Sequence, residues 1–87
     1  MTRQDGDHTY TLKLTVRNKP GVLVRCAQIF GRRGHNIESL NVAHNPADYS
    51  TSIMTITAFG AHGMMQQIAL QLAKLVDVTS IVTEERN

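Results

Sequence analysis

Residues 10–17 read Tyr-Thr-Leu-Lys-Leu-Thr-Val-Arg, apolar and polar in strict alternation, and run into Asn18-Lys19-Pro20-Gly21. A period of two marks a half-buried strand, here with Tyr10, Leu12, Leu14 and Val16 inward. Proline has no N–H for a strand ladder, and glycine admits a reversed backbone, so the strand stops and turns there. Beyond the turn the period changes. Val22, Cys26, Ile29 and Phe30 stand at i, i+4, i+7 and i+8, the apolar face of a helix over residues 22–33. Gly34 suits the left-handed position after that helix, and Arg32 and Arg33 complement the dipole in its last turn. A strand joined to a helix by so short a turn has the helix lying back across it.

The remaining elements obey the same logic. Residues 36–44 form a second strand with broken parity, Leu40, Val42 and His44 on one face and Ile37 on the other, which predicts a bulge. Asn45-Pro46-Ala47-Asp48 is a turn, and residues 49–59 a third strand with Met54, Ile56 and Ala58 toward the helices. Met65, Ile68, Leu72 and Leu75 mark a second helix over residues 62–75, and residues 77–83 form a fourth strand. The order β-α-β-β-α-β predicts an α+β, ferredoxin-like sandwich, a four-stranded antiparallel sheet with two helices on one face. Residues 1–8 are expected to be a flexible lead, 9–83 the domain and 84–87 a polar tail.

Composition narrows the function classes. The 87 residues, 41% hydrophobic and 18% charged, make one globular domain. A domain of this size buries only about two-thirds of its unfolded surface, so self-association is expected. A net charge of +2 lacks the dense basic stripe of a nucleic-acid binder. The single cysteine, Cys26, lies on the apolar stripe, excludes an intrachain disulfide and fits a reducing, cytoplasmic location. No apolar run approaches the roughly 20 residues that span a bilayer. His8, His35, His44 and His62 lack metal-ligand spacing, and no Gly-rich phosphate loop or nucleophile–base pair can be assembled. Glu38 is the sole acid between Asp7 and Asp48, so paired-carboxylate catalysis has no second member nearby. The chain is expected to bind rather than to catalyse.

The candidate site is the turn. A helix opening on Gly21 with no acidic residue in its first turn presents free N–H groups and a positive dipole end to a carboxylate. Asn18, just before it, can donate and accept, and so can meet both ends of a zwitterion. Asn is equally a turn residue, and Asn36 equally a residue that tolerates the irregular backbone after a helix cap. The path 34–37 is expected to return the chain near the turn.

The segments Leu14-Thr15-Val16-Arg17-Asn18-Lys19-Pro20-Gly21-Val22-Leu23, Phe30-Gly31-Arg32-Arg33-Gly34-His35-Asn36-Ile37-Glu38-Ser39-Leu40 and Gln71-Leu72-Ala73-Lys74-Leu75-Val76-Asp77-Val78 closely resemble an ACT domain. More narrowly they resemble the regulatory (small) subunits of acetolactate synthase, or acetohydroxyacid synthase, over about residues 9–83. Longer members carry a second C-terminal domain, and the chain resembles the short single-domain ones. The resemblance implies the β-α-β-β-α-β fold, a homodimer through sheet edges, and a valine effector, in some members leucine or isoleucine, at that interface. Carried over position by position, the effector contacts fall on Asn18, Gly21, Val22, Leu23, Asn36 and Ile37. It further implies a non-catalytic role, with activation and feedback inhibition conferred on a catalytic large subunit that carries thiamine diphosphate, Mg²⁺ and FAD, none of them held by this chain. A stand-alone ACT amino-acid sensor for another enzyme is the alternative. An RNA-binding module of the same topology ranks below both, because residues 51–57 lack the aromatic platform such modules place on strand 3.

Overall fold

A computed structural model describes residues 7–32 and 37–86. Its elements are β1 (Asp7–Arg17), α1 (Val22–Arg32), β2 (Ile37–His44), β3 (Thr51–Ala61), α2 (His62–Ala73) and β4 (Val78–Arg86). The strands form one antiparallel sheet in the order β2-β3-β1-β4. This is the expected ferredoxin-like sandwich. The expectations for residues 1–6, for Arg33, Gly34, His35 and Asn36, and for Asn87 lie outside the described residues.

The alternation of β1 is realised fully. Tyr10, Leu12, Leu14 and Val16 are buried against Met54, Ile56 and Ala58 of β3, Val22, Cys26, Ile29 and Phe30 of α1, and Met65, Ile68 and Leu72 of α2. Each such aliphatic side chain stabilises by about 1.5–3 kcal/mol when fully buried. On the opposite face Ile53 and Phe59 are half-buried, with threonines around them.

Several element ends differ from expectation, each for a local reason. β1 starts at Asp7 and β4 runs on to Arg86, because Thr9 pairs with Arg86 and Tyr10 with Glu85. An edge strand tolerates polar residues wherever a neighbour supplies hydrogen bonds. β3 starts at Thr51, not residue 49, because Asp48 Oδ1 accepts from Ser50 N at 3.0 Å and Ser50 Oγ at 2.6 Å and keeps that stretch in the turn. α2 ends at Ala73: Lys74 N–H points to both Leu70 O and Gln71 O at 3.2 Å, and Leu75 N–H to Leu72 O at 3.1 Å, a tightened last turn.

The far end of the sheet from the Pro-Gly turn is clasped by side chains. Glu85 of β4 meets His62 Nδ1 at 3.2 Å and His8 Nε2 at 3.6 Å, so two histidines distant in sequence converge on one carboxylate. The buried ring of Tyr10 lies beside both imidazoles, with centroids 6.4 and 6.3 Å away. Among the described residues no group of three His, Cys, Asp or Glu could hold a metal ion.

Two features set β2 apart from the other strands. Its register slips between Ile37 and Ser39, the bulge the broken parity predicts. Leu40 and Val42 pair with Ile56 and Met54 and therefore face the helix side, yet they are 43% and 44% exposed. α2 packs on β4, β1 and β3, and the inner face of β2 stays half-open at Leu40 and Val42, while Ile37 packs against the core.

Candidate functional site

Lys19-Pro20-Gly21-Val22 forms a type II turn. Gly21 has φ of 85°, the left-handed value required at its third position, and Val22 N–H reaches Lys19 O at 3.4 Å. α1 starts immediately, with Arg25 N–H donating to Gly21 O at 3.0 Å. Among the described residues the N–H groups of Gly21, Leu23 and Val24 have no acceptor, and the Val22 N–H is held only loosely. The first turn of α1 contains no acidic side chain. Such an end favours an anion through oriented N–H groups and the dipole together.

The charges around it reinforce that preference. Asp77, only 8% exposed, receives Lys19 Nζ at 3.6 Å and Arg25 Nη1 at 3.9 Å, and its carbonyl accepts from Arg17 N–H at 2.8 Å. One carboxylate faces two exposed cations, which leaves local positive charge beside the helix start. Asp77 also fixes the turn to the beginning of β4.

Asn18 fixes it on the other side. Its backbone N–H donates to Ser50 O at 3.0 Å. Its Nδ2 donates to Tyr49 O at 3.2 Å and points to His44 Nδ1 at 3.4 Å, while Oδ1 accepts from Ser52 Oγ at 2.5 Å. The carboxamide therefore staples the turn to the β2–β3 hairpin. One Nδ2 hydrogen is committed to Tyr49 O, the other is committed where His44 Nδ1 is unprotonated, and one Oδ1 lone pair remains. The hairpin it grips is well built: Asn45 Oδ1 accepts from Ala47 N–H at 3.0 Å, and Asn45 Nδ2 donates to Thr51 Oγ1 at 3.1 Å. A polar cleft of about 460 Å³ adjoins the staple, lined in part by Arg17, Asn18, Lys19, Asn45, Asp48 and Ser50. Hydrogen bonds from Ser50 hold the Asp48 carboxyl below its usual range. Sequence reasoning misses Tyr49, Ser52 and His44 as partners of Asn18, because no local spacing signals a contact across 26 to 34 residues.

The remaining site residues divide. Val22 is buried, so only its backbone can face a ligand, whereas Leu23 is 42% exposed beside the free N–H groups. Ile37 does not return to the turn. It is level with Ala58 and, across β3, with Tyr10, while the turn is level with His44, Ser52 and Val16. Six strand residues, about 20 Å, separate the two levels. The reason is topological: α1 runs back down the sheet, so β2 starts at the far end. Asn36 lies outside the described residues.

The element order, the antiparallel sheet and the helix layer are those of an ACT domain. Structures under 25% identical share this fold, such as the ACT domain from GTP pyrophosphokinase of Chlorobium tepidum (TM-score 0.74, 11% identity, 94% of this chain and 91% of that one). The chain belongs to the AHAS small subunit-like ACT domain family, whose model matches residues 12–80. It is 43% identical to the acetolactate synthase small subunit of Mycolicibacterium smegmatis, over 95% of this chain and 48% of that protein. It is 43% identical to the probable acetolactate synthase small subunit of Archaeoglobus fulgidus, over 83% of this chain and 45% of that protein. The crystal structure of the small subunit from Thermotoga maritima superposes with a TM-score of 0.77 at 33% identity, over 86% of this chain and 46% of that one. The chain thus spans about half the length of the curated relatives it matches.

Proposed function

We propose that this chain is the effector-binding regulatory part of a cytoplasmic acetolactate synthase. Two copies pair through their β2 edges, hold valine, leucine or isoleucine between them, and confer activation and feedback inhibition on a catalytic large subunit. That subunit, not this chain, carries thiamine diphosphate, Mg²⁺ and FAD. The observation that carries the binding reading is the uncapped start of α1 on Gly21, flanked by Lys19 and Arg25.

In this reading the ligand carboxylate sits on the N–H groups of Gly21, Val22 and Leu23, and its ammonium donates to the remaining lone pair of Asn18 Oδ1. The branched side chain lies between Leu23 and Ile37 of the partner subunit, with Asn36 of the partner subunit adjoining. Antiparallel pairing of two β2 strands places the start of one beside the end of the other. That supports a shared site, since one chain holds Ile37 and the turn at opposite ends of its sheet. The half-exposed Leu40 and Val42 would be covered in the same step. A pocket that reads shape alone discriminates one methylene by only about 1–3 kcal/mol, so overlapping responses to the three branched-chain amino acids are expected.

Calorimetric titration with L-valine, with D-valine as control, tests the binding. Reconstitution with the large subunit, with and without L-valine, tests the regulation. Stereoselective binding without any effect on acetolactate formation would instead identify a stand-alone sensor.

A further inference from the structure

The solvent side of the helix layer carries a charge pattern of which the effector site uses only Arg25. α1 (VLVRCAQIFGR) and α2 (HGMMQQIALQLA) contain no aspartate or glutamate. Between them runs a cleft of about 370 Å³, with Ile29 and Leu75 in its lining and Arg25, Arg32 and Lys74 around it. Arg25 shares Asp77 with Lys19, whereas among the described residues Arg32 and Lys74 have no carboxylate partner. Val24, one helical turn before Gln28 of the cleft, is 58% exposed, and Leu70, one turn before Lys74, is 63% exposed. Isolated exposed apolar residues are ordinary. Here each lies one helical turn from a residue lining a cleft whose charges are all of one sign.

We propose that the α1–α2 cleft docks an acidic, apolar segment of the catalytic large subunit. Carboxylates of that segment meet Arg25, Arg32 and Lys74, and its apolar side chains cover Val24 and Leu70. The inference rests on the reading that this chain regulates such a subunit, and it names the surface used. A second copy of this chain is disfavoured as occupant, because a two-fold contact would set like charges against each other. The apolar Ile29 and Leu75 lining the cleft among the cations favour a protein segment over a phosphate backbone.

The test is the affinity of the full chain for its large subunit, measured by calorimetry at two salt concentrations. The chain is compared with Arg32→Glu/Lys74→Glu and with the milder Arg32→Gln/Lys74→Gln. The expected result is a tenfold or greater weakening for the reversal and a smaller one for the glutamines. Both variants should lose the salt dependence of the wild type while keeping the same L-valine affinity. Wild-type affinity in the reversed variant overturns the docking face and leaves the regulatory reading standing. If the reversal lowers helicity, the glutamine variant decides, and unchanged affinity there overturns the proposal. A wild-type chain that binds L-valine but no large subunit overturns both. Capture of single-stranded RNA at physiological salt, abolished by the reversal, assigns the face to a polyanion and overturns it too.

Discussion

Asn18→Ala separates the structural role of this side chain from its proposed role in effector binding. The substitution removes every side-chain contact that staples the Pro-Gly turn to the β2–β3 hairpin. The costliest loss is at Ser52, which is 5% exposed and whose hydroxyl donates to Asn18 Oδ1 at 2.5 Å. A buried donor left without its acceptor costs about 1–3 kcal/mol. The contacts of Nδ2 with Tyr49 O and His44 Nδ1 lie at the surface and add at most ~1 kcal/mol. A total near 2–3 kcal/mol is below the ~5–15 kcal/mol that stabilises a typical domain, so the variant folds at 25 °C. At about 4–8 °C per kcal/mol its melting temperature falls by roughly 10–20 °C. Circular dichroism reads that fall, and L-valine calorimetry on the still-folded variant reads the effector contribution separately. Ser52→Ala leaves Asn18 free to meet water and loses only ~0.5–1.5 kcal/mol. The double variant should lose less than the sum, with a coupling of ~0.5 kcal/mol or more. An unchanged melting temperature in Asn18→Ala, or strict additivity in the cycle, refutes the staple.

Other perturbations probe the rest of the chain. Gly21→Ala should destabilise by ~1–2 kcal/mol by urea titration, because φ of 85° is strained for any L side chain although no atom lies within 4 Å of the new Cβ. Gly31→Ala, equally unobstructed but in right-handed helix, should be neutral or stabilising by up to ~1 kcal/mol; the same sign for both would defeat this account. Leu40→Lys/Val42→Lys should keep the monomer folded and abolish self-association in sedimentation, since both side chains are open in a single chain. The Asp48 carboxyl should titrate below the ordinary carboxylate range by NMR. Its contribution to stability is present above the unfolded pKa near 4 and lost as pH falls through the lower folded value, a dependence that Asp48→Asn should remove. Cys26, whose thiol burial pushes upward, should resist iodoacetamide at pH 8 in the native state and react in denaturant. Equal rates in both conditions would contradict its burial.

The fold was legible where a single period governed a segment. Residues 10–16 alternate because one face meets the core, and Val22, Cys26, Ile29 and Phe30 are spaced as one helical stripe, so burial could be read directly from both. The ends of elements were less legible, because hydrogen bonds to distant residues decide them: β4 continues through Glu84 and Glu85 only because β1 lies alongside. The site was half legible. Pro20 and Gly21 announce the turn by their own backbone chemistry. That Asn18 would be taken up by Ser52, Tyr49 and His44 could not be read locally, since those residues meet it only through the register of three strands. The level of Ile37 on the sheet likewise depends on strand order, not on its neighbours in sequence.

Gly21 and Ile37 stand at opposite ends of one sheet, and this separation has a thermodynamic consequence. A ligand that must touch both can bind tightly only where two chains meet. Ligand affinity and chain pairing are then linked, each raising the other by the same factor. The apparent sensitivity of such a sensor depends on its own abundance. In the proposed pairing, dilution below the pairing constant would weaken amino-acid binding, so the response threshold would follow chain concentration as well as the pocket.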